Sequence, residues 1–112
     1  MRAESLKGHL DALLMASLEA GPRHGYAVIE ALRDSSGGQL DLPTGTIYPA
    51  LHRLEAAGLI RGRWSAATGR RRRVYELTAK GRRALAGERA DWQRFCAVVS
   101  ATLEGGPCPD PA

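Results

Sequence analysis

Apolar residues recur along this chain first at helical spacing and then at strand spacing. Between residues 6 and 18, Leu6, Leu10, Leu13, Leu14, Ser17 and Leu18 fall on one helical face, with Ser5 placed to cap it and Gly21-Pro22 to stop it. The segment HGYAVIEALRDSSGG puts Tyr26, Ile29, Ala31, Leu32 and Arg33 on a second short helix that ends before Gly37-Gly38. A third set, Ile47, Ala50, Leu51, Leu54 and Ala57, recurs in TGTIYPALHRLEAAGLI, and Gly58 supplies its stop. Pro49 fits the first turn, where a missing amide has no intrahelical partner to lose, so this helix is predicted to start between Thr44 and Thr46.

From Leu59 the period changes to two. LIRGRW and RVYELT alternate apolar and polar residues, with Ile60 and Trp64 on one face, and the polar loop SAATGRRR between them reads as the tip of a β-hairpin. Thr78 then caps a last helix over residues 79–104, stopped by Gly105-Gly106-Pro107. Leu85, Trp92 and Val99 are spaced by sevens along it, and Phe95, Cys96, Thr102 and Leu103 fill the alternate positions of the seam. Such a helix is about 39 Å long, more than so small a domain covers, and its apolar seam calls for a partner helix, most simply from a second copy of the chain. The expected organisation is a folded unit over 1–78, a dimerisation helix over 79–104 and a disordered tail over 105–112.

Composition adds a boundary and charge adds a direction. With 112 residues, 44% of them apolar and 25% charged, the chain has the size and make-up of one soluble domain. No apolar run approaches the ~18 residues of a membrane span, so no membrane partner is expected. The N-terminal segment lacks the uninterrupted core of a secretory signal, and Cys96 and Cys108 offer no disulfide framework, so a reducing cytoplasm is the expected location. The net charge of +4 is unevenly spread. Residues 61–83 carry nine Lys/Arg against Glu76 alone, a net of +8, while the segments on either side each carry −2. That concentration points to a polyanion, and nucleic acid leads.

Three helices followed by a hairpin is the order of a winged helix-turn-helix. The fold class is therefore mainly α with a small β-hairpin: a winged helix-turn-helix plus a long C-terminal dimerisation helix. In such a fold the third helix enters a major groove, and the basic hairpin reaches phosphates or an adjacent minor groove, where Arg is favoured. The stretches LKGHLDALLMASLEAGPRHGYAVIEAL, LPTGTIYPALHRLEAAGLI and GRRRRVYELTAKGRRAL closely resemble the PadR-type winged-helix transcriptional regulators, in order and spacing, from about Leu6 to Leu85. The resemblance implies a homodimeric repressor that binds a pseudo-palindromic operator in double-stranded DNA and is released by a small, often aromatic, ligand. The single C-terminal helix is similar to that of the short branch of the family, which pairs through it.

Carried onto this sequence, the recognition helix is Thr44 to Ala57, with Thr44, Thr46, Tyr48, His52 and Arg53 as the polar candidates for DNA contact. Tyr48 has the alternative of a core aromatic, and His52 that of an ordinary surface residue. Arg70, Arg71, Arg72 and Arg73 form the wing, where alternation sets Arg71 and Arg73 on one face and Arg70 and Arg72 on the other. In some members of the family a tryptophan in the middle of the last helix stacks planar molecules against its dimer mate, and Trp92 is at the corresponding position. Glu88 and Cys96, one turn to either side, would line the same effector site. The alternative for Trp92 is a space-filling residue of the dimer seam formed with Leu85, Phe95, Val99 and Leu103, and for Cys96 a small hydrophobe.

Enzyme chemistry finds no support in the sequence. His9, His24 and His52 lie on separate segments with no carboxylate placed to orient them, and no serine sits on a strand-to-helix elbow. Neither Cys/His pairs with zinc spacing nor a phosphate-loop lysine is present, so no metal or cofactor is expected. Two other readings stay open: a DNA-binding regulator with no small-molecule sensor, and a winged-helix adaptor for a protein partner.

Overall fold

A computed structural model of the chain describes residues 6, 8–66, 69 and 71–105. In chain order these form α1 (Leu10–Ser17), β1 (Arg23–His24), α2 (Gly25–Ser35), α3 (Thr44–Ala56), β2 (Ile60–Ser65), β3 (Arg72–Leu77) and α4 (Ala79–Glu104). The sheet is antiparallel in the order β1-β3-β2. This is the mainly helical winged helix-turn-helix expected, with one strand more than the hairpin. β1 is only two residues long and pairs Arg23 with Tyr75 and His24 with Val74 on the free side of β3.

The first helix begins later than its periodicity predicts. Gly8 adopts φ of 85°, which interrupts the helix between Leu6 and Leu10, although Leu6 still reaches the core. The Ser5 cap lies outside the described residues. α3 begins at Thr44, which puts Pro49 in the second turn and not in the first. The amide that Pro49 lacks would have bonded the Gly45 carbonyl, which lies on an exposed face of α3.

One core holds these elements together. Leu14 and Leu18 from the first helical segment, Val28 from α2, Ile47, Leu51 and Leu54 from α3, and Ile60 and Tyr75 from the sheet are all buried. Burial pushes the Tyr75 phenol above its ordinary value, and the Glu55 carboxylate adds to the push. Leu85, expected on the dimer seam, is 2% exposed and packs in this same core, so it presents nothing to a partner. The opening turns of α4 thus belong to the unit that precedes them.

The joint between α3 and α4 is tightly specified. Thr78 Oγ1 accepts from the Gly81 amide at 3.0 Å, capping α4, and donates to the Gly58 carbonyl at 2.7 Å. Lys80 Nζ donates to the Ala57 carbonyl at 2.8 Å, serving the last turn of α3. Gly81 packs directly on Leu59, where a Cβ would overlap the Leu59 carbonyl oxygen. Past Leu85 α4 leaves the core, and Trp92, Phe95, Val98 and Leu103 stand exposed along it, with Val99 half-buried.

Candidate nucleic-acid interface

The outward face of α3 carries Gly45, Pro49, His52, Arg53 and Ala56, with Thr44 exposed at its start and Thr46 half-buried. Two of the predicted contacts are already engaged. Arg53 Nη2 donates to Asp11 Oδ1 on α1 at 2.5 Å, an exposed pair. Tyr48 is half-buried against the core with its ring over Gly25, where a Cβ would fall inside the ring. The glycine after His24 therefore gives Tyr48 its place, and α2 starts over it with His24 Nδ1 accepting from the Ala27 amide at 3.3 Å. Thr44, Thr46 and His52 remain as polar side chains of α3 with no charged partner among the described residues. A surface of small residues and one proline lets the helix backbone approach a groove closely.

The wing is more strongly structured than a solvated charge run. Ile60, Gly62 and Trp64 pair with Leu77, Tyr75 and Arg73, so these six share one face of the sheet. Ile60 continues the core, but Trp64 lies past its edge and is 56% exposed, which ends the apolar face predicted from alternation. Arg71 covers the Trp64 ring at 4.6 Å from its centroid, and Arg73 approaches it at 5.5 Å. Arg73 also donates to Glu55 Oε2 on α3 at 2.5 Å. Arg72 reaches His24 Nε2 at 3.1 Å on β1. Arg61 donates to Glu76 at 2.7 Å, a hydrogen bond that holds the Glu76 carboxyl below the usual carboxylate range. Among the described residues Arg63, Arg71 and Arg72 have no carboxylate within ion-pair distance. Arg70 lies outside the described residues.

Lys80, Arg82 and Arg83 extend this field over the first turns of α4, whose opening turn carries no acidic residue. A helix N-terminus favours anions, so cations there lower intrinsic helix stability, and their presence fits an external polyanion. The sequence did not single out Glu55 or Gly62, and His24 entered only as a catalytic candidate. A glycine inside a strand does signal close approach by another group, and Gly62 meets that description.

A second site lies away from the wing, between α1, the segment joining α2 to α3, and α4. It is a cavity of about 570 Å³ with walls from Leu13, Leu40 and Leu85, and with His9, Glu88 and Trp92 at its rim. Trp92 meets His9 edge-on at a centroid distance of 5.3 Å and is 52% exposed. Arg89, also on the rim, is engaged by both oxygens of Glu19, which leaves Glu88 as the rim charge with no ion-pair partner among the described residues. Glu88 and Trp92 thus come together as predicted from their spacing, whereas Cys96 is not among the residues lining the cavity. Phe95 lies 5.9 Å from Trp92, beside the exposed apolar stripe. No helix among the described residues is long and apolar enough to cross a membrane, and no cluster of His, Cys, Asp or Glu there could hold a metal ion.

Comparison with known proteins gives the family and the fold. Residues 14–87 match the model of the transcriptional regulator PadR-like family. A transcriptional regulator of Mycobacterium tuberculosis is 43% identical over 67 residues, which cover 60% of this chain and 50% of that protein. A PadR family transcriptional regulator from Eggerthella lenta is 31% identical, with a TM-score of 0.80 over 92% of this chain and 88% of its own. A PadR-like regulator from Bacillus cereus is 26% identical, with a TM-score of 0.80 over 93% of this chain and 100% of its own. A transcriptional regulator from Clostridium thermocellum shares the fold at 22% identity, with a TM-score of 0.84 over 93% of this chain and 99% of its own.

Proposed function

Because the chain belongs to the PadR-like family of transcriptional regulators, we propose that it is a cytoplasmic, homodimeric repressor that is released from its operator by a planar aromatic ligand. It is a DNA-binding regulator and not an enzyme. The observation that carries the reading is the juxtaposition of a nearly neutral, small-residue face on α3 with Arg63, Arg71 and Arg72 of the wing, cations that no carboxylate neutralises among the described residues. Phosphate contacts supply affinity without sequence information, and base edges read by a helix supply selectivity. In this division the wing and the start of α4 attract the duplex, while Thr44, Thr46 and His52 meet base edges. Arg53 and Tyr48 reach the backbone only by exchanging the contacts they now make.

Dimerisation through Trp92, Phe95, Val99 and Leu103 would cover the apolar stripe of α4 and set two recognition helices against half-sites about one helical turn apart. The cavity beside Trp92 supports the effector part of the reading. It is apolar, opens next to the stripe, and has an indole at its rim on which a planar molecule can stack. A ligand there would change the angle between paired α4 helices and hence the spacing of the α3 helices.

The test is binding to duplex DNA from upstream of the protein's own gene, followed by fluorescence anisotropy across salt concentrations and repeated with planar aromatic compounds. Affinity above that for a scrambled duplex, falling steeply with salt and lowered by a compound, is the expected result. Equal affinity for both duplexes would overturn operator recognition and favour an adaptor. Selective binding that no compound disturbs would overturn the sensor and leave a regulator without one.

A further inference from the structure

Arg73 differs from its neighbours in the wing. Its guanidinium bridges β3 to the last turn of α3 through Glu55, and the two side chains are only 32% and 29% exposed. Gly62 makes the space it occupies: a Cβ there would lie 2.7 Å from Arg73 Nε. The Trp64 ring, directly across the strand pair, closes the outer side. Arg73 is therefore enclosed by a carboxylate from α3 and by a glycine and an indole from β2. Arg71 sits beyond the same ring, exposed and with no carboxylate paired to it among the described residues. For Arg73 to bind a phosphate it would have to leave Glu55, stranding a half-buried carboxylate without its partner. Arg71 faces no such cost.

We propose that Glu55, Arg73 and Gly62 form a brace that fixes the angle of the wing to α3, so that Arg73 is a positioning residue for sequence recognition and Arg71 is the phosphate contact of this face. This rests on the DNA-binding reading above. Contacts by α3 and by the wing must be made at once on one duplex, and the outer part of the hairpin, past the core residues Ile60 and Tyr75, would otherwise swing against α3. A side chain held in place by packing and by a second hydrogen-bonded group is what keeps such contacts within the few tenths of an ångström that recognition tolerates.

The test uses the full chain with a duplex enriched from a random library by the unaltered protein, and a scrambled duplex of the same length. Gly62→Ala keeps every charge and displaces only the end of a flexible side chain. With Arg73→Gln, it should reduce the ratio of enriched to scrambled affinity by about tenfold, the size of one lost base contact. Neither variant should flatten the slope of log affinity against log salt. Arg71→Gln should flatten that slope by about 0.9 per protomer on both duplexes and keep the ratio. Arg73→Lys, which retains a cation able to reach Glu55, should restore part of the ratio. If Arg73→Gln flattens the slope as Arg71→Gln does, Arg73 is a phosphate contact and the brace is wrong.

A second arm needs no DNA. Backbone amide exchange in β2 and β3 of the free protein should quicken in Gly62→Ala and Arg73→Gln and stay unchanged in Arg71→Gln. Unchanged exchange in all three overturns the brace. Failure of the unaltered protein to enrich any duplex would count against the DNA reading alone, and the exchange arm would then decide the brace.

Discussion

The two ends of the molecule have opposite surfaces. Around α3 and the wing the large apolar residues are buried, except for Trp64 under its guanidinium cover, and what is exposed is cationic or small. Along the far half of α4 the reverse holds: Trp92, Phe95, Val98 and Leu103 are 52–78% exposed, and the one arginine there, Arg94, is paired with Asp91. A surface of the first kind is complete in water and waits for a polyanion. One of the second kind costs free energy in water until it is covered. The chain thus keeps electrostatic attraction and apolar association on separate elements, joined at the Gly58–Gly81 junction and, more weakly, by Arg89 and Glu19.

The contrast breaks most completely if the apolar end is charged. Phe95→Asp places a carboxylate in the proposed seam twice per dimer, and burial of each phenylalanine is worth about 1.5–3 kcal/mol. The dimer is expected to weaken by about 3–6 kcal/mol in total on that scale, giving a monomer by light scattering at micromolar concentration with unchanged far-UV circular dichroism. An unaltered dimer mass would show that another face pairs. Since Arg71 and its neighbours are untouched, affinity for scrambled DNA per protomer should persist, which separates the two ends functionally.

The junction comes next. Gly81→Ala drives a methyl into the Leu59 carbonyl, which is backbone and cannot rotate away. Displacing it also pulls the Thr78 and Lys80 bonds that end α3 and start α4. Overpacking of this kind costs about 1–3 kcal/mol, and the fixed backbone puts Gly81 toward the upper end. The urea midpoint should fall accordingly for α3 and α4 together. A loss confined to α4, or no loss, would mean that the two ends are not mechanically joined there.

Much of this division was legible in the sequence, for identifiable reasons. The Thr78 cap, the limits of α4 and the strands of the wing are local properties, set by hydroxyl capping and by period-two alternation over six residues. The concentration of positive charge over residues 61–83 is additive and needs no fold to be seen. β1 was not legible, because two residues cannot display a period and its existence depends on the free edge of β3. Leu85 satisfied the heptad and the core pattern equally, and only three-dimensional packing chose the core. Arg73 looked identical to Arg71 because its distinguishing partner, Glu55, is 18 residues away on another element. The shape of the cavity depends on how α1, α4 and the α2–α3 segment converge, which periodicity does not encode.

The smallest effect concerns the clamp between the two ends. Arg89 on α4 donates both terminal nitrogens to Glu19, just past α1, on the rim of the Trp92 cavity. The hydrogen bonds from Arg89 hold the Glu19 carboxyl below its ordinary value, despite a smaller opposing push from burial. A carboxyl whose folded value is depressed contributes stability above its unfolded value of about 4.3, and loses that contribution as pH falls through the folded value. Arg89 stays charged throughout. The side chains are 51% and 39% exposed, so solvent screening limits the pair to a few tenths of a kcal/mol. Glu19→Gln should therefore lower the urea midpoint slightly at neutral pH, with the gap to the unaltered protein closing below about pH 4 and shrinking in high salt. A gap that persists at low pH would place the contribution of Glu19 in the packing of its stem, and would mean that α4 is held to α1 by apolar contact alone.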